Sequence, residues 1–349
     1  MSSKNIIAID VGFGNTKLAW VVNGGPAKEM IFSSQTLRST EPAGSDIGIG
    51  QLDRVQVLVN KQLFWIGPDM AGEGSNELHG DYSGSDTYEA LVIGALHYIA
   101  KAEGMTLDVI DFLVLGLPVS NFSQKKDALI KRFCKNLQIP NTAGLKPIYG
   151  PCFASSIKKV AVLPQPMGSM LHYIELENNS EAFDKTHLVI DPGYLTVDWF
   201  TSKGAKAVLE RSGAFNGGVS AILNEVGKAF LKDTGISINE HVIDTALHNG
   251  YTNLMGKRYD FAPYRIIAER KASSIVSLLL TEINSHQVDR SSGKAISIDN
   301  VILTGGGATF FEKPMREQFP GQFTVLDEPV MGNAKGYLEF GKRLAMHLI

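Results

Sequence analysis

One short phrase occurs twice in this chain, and few architectures admit such a repetition. Ile6-Ile7-Ala8-Ile9 is an apolar run that stops at Asp10-Val11-Gly12-Phe13, and His187-Leu188-Val189-Ile190 stops at Asp191-Pro192-Gly193-Tyr194. Each copy then returns as a second strand carrying a tryptophan, Thr16 to Val22 with Trp20 and Thr196 to Phe200 with Trp199. An apolar strand ended by Asp-x-Gly is a frequent turn signature by itself. Its extension through the second strand points to an internal duplication that makes two related halves. A length of 349 residues suits two domains of ordinary size.

Composition narrows the class of protein. Hydrophobic residues make up 44% and charged ones 20%, the balance of a soluble globular chain. A formal net charge of -3 gives no overall attraction to nucleic acid or to anionic lipid, so neither direct sequence-specific nucleic-acid binding nor a membrane partner is expected. Cys134 and Cys152 are spaced neither as a zinc site nor as a disulfide framework, which makes both reduced thiols. The N-terminal apolar run is too short for a signal peptide, and no stretch approaches the ~20 apolar residues of a membrane span. The expected location is the cytoplasm, which makes the sequons at Asn121 and Asn178 accidental.

Between and after the repeats, periodicity defines further elements. Residues 49–68 alternate and end in Trp65-Ile66-Gly67-Pro68, as strands of a small subdomain do. Residues 86–103 have helical apolar spacing, with Asp86 and Glu89 placed to form a capping box. Phe112 to Leu117 is a buried strand, and Ser123 to Leu137 a basic amphipathic helix whose Lys125, Lys126, Lys131, Arg132 and Lys135 form a solvated face. Glycines open a helix over Gly217 to Lys232, and a long helix covers Ile267 to Ile283. A strand from Ile296 to Leu303 stops at Thr304-Gly305-Gly306-Gly307, and Gly332 to Ile349 closes the chain as a helix. Strands alternating with helices predict a mostly parallel sheet in each half.

Two of these glycine-rich turns have the chemistry of phosphate cradles. Without a Cβ, the backbone at Gly12 and Gly14 can approach phosphate oxygens and aim N–H groups at them. Asn15 and Thr16 add neutral donors, and Lys17 adds a positive charge able to neutralise a phosphate. Gly305 to Gly307 either let a flat base or ribose lie on main chain or simply make a tight strand-to-helix turn. Neither turn ends in the Gly-Lys-Ser/Thr of a Walker P-loop, and no Gly-x-Gly-x-x-Gly opens a helix. Rossmann and P-loop architectures are therefore disfavoured.

Five segments in order resemble the nucleotide-site motifs of the actin–Hsp70–sugar kinase superfamily. Asp10-Val11-Gly12-Phe13-Gly14-Asn15-Thr16-Lys17 resembles phosphate 1, and Val162 to Ser169, through Pro164-Gln165-Pro166, resembles connect 1. Asp191 to Asp198 resembles phosphate 2, Ile302 to Ala308 the adenosine motif, and Gly332 to Tyr337 connect 2. Gly116-Leu117-Pro118-Val119-Ser120, Phe215-Asn216-Gly217-Gly218 and Asn333-Ala334-Lys335-Gly336-Tyr337 are most similar to the bacterial plasmid-partitioning ParM/StbA group. Pro192 and Leu195 depart from that pattern, where many relatives carry a further glycine and a threonine.

The resemblance implies two similar ribonuclease H-like α/β domains, each a mixed, mostly parallel sheet flanked by helices, with nucleotide in the cleft between them. Domain I would comprise residues 1–165 and 332–349, with a small subdomain over about 30–85. Domain II would comprise 166–331, with a helical subdomain over about 217–290. ATP and Mg²⁺ are the implied cofactors. Gly12, Phe13, Gly14, Asn15, Thr16, Lys17, Gly193 and Tyr194 would surround the phosphates. The base and ribose would rest on Gly305, Gly306 and Gly307, with Gly217 and Gly218 in the opposite wall. Glu225 and Lys228 either reach the ribose or base or belong to a solvated face.

Phosphoryl transfer needs little covalent help, so such a protein positions a water and neutralises charge. Asp10 and Asp191 are expected to face each other across the cleft and hold Mg²⁺ through its waters. Asp191 would also orient or partly deprotonate the attacking water. Gln165 stands where the family places a glutamine or glutamate beside that water. A glutamine orients water but accepts no proton at neutral pH, which predicts slow ATP hydrolysis. Bound nucleotide would set the angle between the halves, with connect 1 and connect 2 as the hinge. The ParM-type resemblance further implies ATP-dependent filaments, with self-association and a DNA-bound adaptor on a plasmid as partners.

Other members of the superfamily set the alternatives. A small-molecule kinase needs a general base, usually an Asp; Asp111 is the only Asp in the strand leading to Gly116, and it stands at the strand's start. An Hsp70-type switch carries a peptide-binding domain, for which a chain ending at Ile349 is expected to have no room. An actin-like cell-shape or division protein is closer, though Gly336 to Ile349 reads as the closing helix and not as an amphipathic membrane anchor.

Overall fold

The computed structural model describes residues 4–39, 52–70, 72, 74–75, 81–141, 152–177, 180–287 and 297–346. The chain divides into two compact units, Met1–His172 with Met331–Ile349, and Tyr173–Val330.

In the first unit, β1 (Ile6–Val11) returns as β2 (Asn15–Val21) and then β3 (Lys28–Ser33). A small sheet follows, from β4 (Leu37–Ser39), β5 (Val55–Val59) and β6 (Gln62–Ile66), in the order β4-β6-β5. Helix α1 (Asp86–Glu103) leads through β7 (Val109–Ile110) to β8 (Phe112–Leu117) and α2 (Val119–Phe133). Then come β9 (Asn136–Pro140), β10 (Cys152–Ile157), β11 (Val160–Pro164) and α3 (Gln165–Glu177). The main sheet has the order β11-β8-β1-β2-β3, with β11, β8 and β1 parallel and β2 and β3 antiparallel.

Every residue of β1 is buried, because both faces of this central strand are covered. Ile7, Ile9 and Val11 join the core that α1 fills with Leu91, Leu96 and Ile99. Ile6 points the other way, against Gly341 of the C-terminal helix (Gly332–Met346), where a Cβ on the glycine would lie 2.6 Å from Ile6 Cγ2. Side chains alternate along a strand, so Asp10 falls on the face of Ile6 and away from the α1 core.

Three expectations for this unit need correction. The cap of α1 is Ser85, whose hydroxyl accepts the Tyr88 N–H; Asp86 instead takes Asn60 Nδ2, and Glu89 is drawn to α2. There Glu89 binds Arg132 at 2.8 Å and Lys135 at 3.0 Å, while Lys125 reaches Asp81 at 2.7 Å. Three cations expected to form a solvated face therefore pair with the neighbouring acids. The helix also starts earlier than expected, after Pro118, and ends at Phe133, since Leu137 lies in β9 opposite Ser155.

Two glycines bring α3 and the C-terminal helix close together, and a third, on β8, makes room for Tyr337 of that helix. A Cβ on Gly336 would lie 1.7 Å from the Gly168 carbonyl oxygen, one on Gly168 would meet Asn333 O at 2.4 Å, and one on Gly116 would meet Tyr337 Oη at 2.0 Å. Ser169 donates its hydroxyl to Asn333 Oδ1 at 2.7 Å, and Tyr337 Oη donates to Gln165 O at 3.3 Å. No larger residue fits this crossing.

The second unit repeats the scheme. Strand β12 (Thr186–Pro192) returns as β13 (Thr196–Lys203), which pairs with β14 (Lys206–Ala207) and β15 (Gly213–Asn216). Helices α4 (Val219–Thr234) and α5 (Glu240–Asn249) precede a hairpin of β16 (Tyr251–Leu254) and β17 (Lys257–Asp260). Helix α6 (Ala262–His286), β18 (Asn300–Leu303), α7 (Ala308–Gln318) and β19 (Phe323–Val325) complete it. The sheet order is β14-β13-β12-β18-β19, again with three parallel strands flanked by antiparallel ones. The start of the strand expected at Ile296 lies outside the described residues, as does the end of the closing helix beyond Met346, and β18 begins only at Asn300.

The duplication extends to register. Asp10 lies opposite Lys17 and Asp191 opposite Asp198, at the same place in each hairpin. Gly12 donates its N–H to Asn15 O at 3.1 Å, and Gly193 donates to Thr196 O at 2.8 Å. The tryptophans do not coincide. Trp20 lies opposite Ile7, whereas Trp199 lies opposite Ile190, the position that Leu18 holds in the first copy. They stand one pleat apart and bind unrelated acceptors, Glu103 and the Arg211 carbonyl.

Gly336→Ala is expected to cost about 3 kcal/mol by forcing apart the α3 crossing. Gly235→Ala, where the strain is only a left-handed φ of 73° with nothing near the new methyl, should cost about 1 kcal/mol. Denaturant midpoints of the two variants measure the difference, and equal losses would show that the crossing tolerates a side chain.

Candidate functional site

The first turn gathers a charged group, a cation and an amide. Asp10 is 1% exposed at the end of β1, and a polar group so buried calls for hydrogen-bonding partners. Lys17, opposite it on β2, brings Nζ to within 2.9 Å of Oδ2, and Gln165 Nε2 donates to Oδ1 at 2.9 Å. The same amide reaches Val11 O at 3.5 Å. Gln165 is placed by its neighbours: Pro164 ends β11, and Pro166 sits in the first turn of α3, where its missing N–H costs nothing. Asp10, Lys17 and Gln165 thus form one connected cluster.

The remaining residues of that turn divide. Gly12 lies under Lys17, and a Cβ there would come within 3.0 Å of Nζ. Gly14 accepts the Ser34 N–H through its carbonyl, and Asn15 is exposed at the start of β2. Thr16 is fully buried with its hydroxyl 2.9 Å from Ser34 Oγ, so its side chain is engaged inside the unit. Phe13 stacks on Tyr82 with ring centroids 4.8 Å apart, which makes it a core contact as well as a turn residue.

In the second unit the structure brings Asp191, Gly193, Tyr194, Gly217, Gly218 and Gly305 to Gly307 together. Asp191 lies over Gly305, whose φ is 83°; a Cβ there would meet Asp191 Oδ1 at 2.1 Å. Gly307 donates to Pro192 O at 2.9 Å and packs so tightly on the Pro192 ring that its own Cβ would come within 2.9 Å. Pro192 therefore links the two turns through its carbonyl and Cβ. Gly306 alone of the three faces open space: a methyl placed on it would find nothing nearer than Val330 Cγ2 at 3.9 Å.

The start of α4 is held by the second turn. Leu195 O accepts the N–H groups of Gly217 and Gly218, Gly193 O that of Val219, and Tyr194 O that of Ser220. A Cβ on Gly218 would strike Gly193 O and Tyr194 O at 2.5 Å. These glycines are thus required by packing, and the first N–H groups of α4 are engaged by protein. Glu225 and Lys228 lie on the same helix, and both are exposed.

Sequence reasoning left several participants unassigned. Asn333 and Ser169 fix the α3 crossing beside Gln165, and Asp198 stands opposite Asp191 at the position of Lys17. Aligning the two hairpins by register would have found Asp198; nothing local marks the pairing of Glu240 with Tyr194. Among the described residues, no three His, Cys, Asp or Glu side chains assemble as a direct metal cage, and no helix is long and apolar enough to cross a membrane. Cys134 and Cys152 are free and exposed.

Comparison with known proteins accords with this architecture. Residues 8–168 match the family model of the N-terminal domain of actin-like proteins, and residues 189–317 match that of the C-terminal domain of the archaeal MreB-like actin homologue. The chain belongs to the actin-like superfamily and has its two-domain α/β fold. An archaeal actin homologue superposes with a TM-score of 0.76 at 20% identity, over 97% of this chain and 99% of that one. The apo psk41 ParM protein gives 0.70 at 18% identity, over 99% of both chains. A 15-stranded ParM filament from Clostridium botulinum gives 0.69 at 19% identity, over 98% of this chain and 100% of that one. A further structure of the archaeal homologue is a complex with ADP. No curated protein matches the sequence.

Lys17→Met strips the buried Asp10 of its cation and is expected to cost about 3 kcal/mol of stability. Asp10→Asn in the same chain should restore most of that loss, because no charge then remains to be desolvated. Chemical denaturation of the single and double variants measures this. A Lys17→Met protein as stable as the parent would show that Asp10 does not depend on the pair.

Proposed function

We propose that this chain is a slow ATPase that assembles into filaments with ATP and segregates plasmid DNA through a DNA-bound adaptor. The observation that carries the proposal is the duplicated Asp-x-Gly turn, present in both units at the same register and followed in the second unit by the Gly305–Gly307 turn. Support for nucleotide binding comes from the archaeal homologue solved with ADP, and support for assembly from the ParM filament.

In this reading the first turn, from Gly12 to Lys17, and the second, at Gly193 and Tyr194, serve the phosphates. Gly306, open between two packed glycines, lets the base or ribose approach main chain. Mg²⁺, when bound with the nucleotide, would supply charge neutralisation at the phosphates. Asp191 and Asp10 would hold it through water, a mode suited to an ion that keeps its hydration shell. Asp10 has Lys17 and Gln165 as partners. Gln165, anchored on Asp10, orients the attacking water, and Asp191 assists by accepting a hydrogen bond from it.

For the small-molecule kinase alternative, the candidate base Asp111 is engaged elsewhere. Asp111 accepts the Asn5 N–H at 2.9 Å and pairs with Lys158 at 2.8 Å, which ties it to the start of β8.

Pelleting and light scattering as protein concentration is raised should show a sharp critical concentration with ATP and none with ADP or without nucleotide. A monomer under every condition would contradict the filament reading. Gln165→Ala is expected to bind ATP normally and to slow single-turnover hydrolysis at least ~100-fold; an unchanged rate would remove Gln165 from the mechanism.

A further inference from the structure

Phe13 and Tyr194 hold equivalent places in the two turns, and each lays its ring against the core of its own unit. What Tyr194 has in addition is a hydroxyl. That hydroxyl donates to a carboxylate oxygen of Glu240, the first residue of α5, and Asn224 Nδ2 donates to the other oxygen at 2.9 Å. Asn224 stands on α4, whose Ser220 N–H donates to the Tyr194 carbonyl at 2.8 Å. The turn is therefore held to α4 by its main chain and to α5 by one side chain.

The surroundings make this link firm. Burial pushes the Tyr194 phenol above its usual pKa, and the adjoining Glu240 pushes in the same direction, so the phenol keeps the proton that it donates. Helix α5 is fixed at its other end as well. Arg265 of α6 donates to Leu247 O and His248 O, both at 2.8 Å, and so engages carbonyls that the helix end leaves open. A turn tied to a helix clamped at both ends cannot drift without breaking a hydrogen bond to a charged group.

Resting on the nucleotide-binding reading above, we infer that Glu240 is a positioning residue: through Tyr194 it fixes the second phosphate turn, and so sets how strongly the chain favours ATP over ADP. The terminal phosphate, which ADP lacks, is the group that a displaced phosphate turn would serve poorly. In that reading the base and ribose would contact Gly305 to Gly307, whereas Glu240 bonds to Tyr194 and Asn224.

Titration of the full chain with fluorescent ATP and ADP analogues, below the concentration of assembly, tests this. Glu240→Ala and Tyr194→Phe should each weaken ATP about tenfold and change ADP by less than about twofold. Glu240→Gln, whose amide oxygen still accepts the phenol proton, should restore the parent preference. The Tyr194→Phe, Glu240→Ala double variant should be no weaker than either single one, because both remove the same link. Equal weakening of both nucleotides, additive losses, or an unchanged preference would overturn the role of Glu240. A parent chain that binds neither nucleotide would overturn the nucleotide reading itself, and the inference with it. Melting curves of the Glu240→Gln and Tyr194→Phe proteins separate a loosened turn from an unfolded chain.

Discussion

A carboxylate buried at the end of a central strand is the constraint on which much of this structure depends. Removing an unpaired carboxylate from water is costly, so a fold that keeps one there must surround it with partners. The two units place that carboxylate identically and compensate for it differently. Asp10 has Lys17 opposite it on the hairpin and Gln165 at the head of α3. Asp191 has a second acid, Asp198, in the place of Lys17, and lies over a glycine with a left-handed φ. Duplication therefore gave one scaffold and two electrostatic environments. Asp10 faces a cation across its hairpin, while Asp191 faces a second carboxylate at the same register.

Close backbone approach is the second constraint, and it acts separately inside each unit. In the first, Gly168 and Gly336 let α3 cross the C-terminal helix so that Ser169, Asn333 and Tyr337 can bond across it. In the second, Gly218, Gly305 and Gly307 pack the Asp191 turn, the start of α4 and the start of α7 into one knot. Several glycines that look like ligand cradles are thus fixed first by packing. Gly306 is the exception, and its exposure makes it the glycine of that turn most available to a ligand.

Much of this was legible in the sequence, for reasons that particular residues show. The runs Ile6 to Ile9 and Leu188 to Ile190 are continuous because both faces of a central strand are covered, and that pattern survives without any partner being known. The pairing of Asp10 with Lys17 follows from hairpin register once the strands are placed. Other features depend on contacts remote in sequence. Glu89 binds α2 instead of capping α1 because Arg132 approaches it from elsewhere, and the bond from Tyr194 to Glu240 joins a turn to a helix with no local signal. The hairpin over Tyr251 to Asp260 was equally hidden. Its turn places Met255 and Gly256 at positive φ without the Asn-Gly that usually announces such a turn.

The function proposed above has one nucleotide served by both copies of the Asp-x-Gly phrase. The stoichiometry of ATP binding tests that claim most directly. Calorimetric titration of the full chain with ATP and Mg²⁺, at a concentration too low for assembly, is predicted to give one site per chain that disappears in Asp191→Ala. Two sites per chain, one for each copy, or a single site indifferent to Asp191, would contradict it.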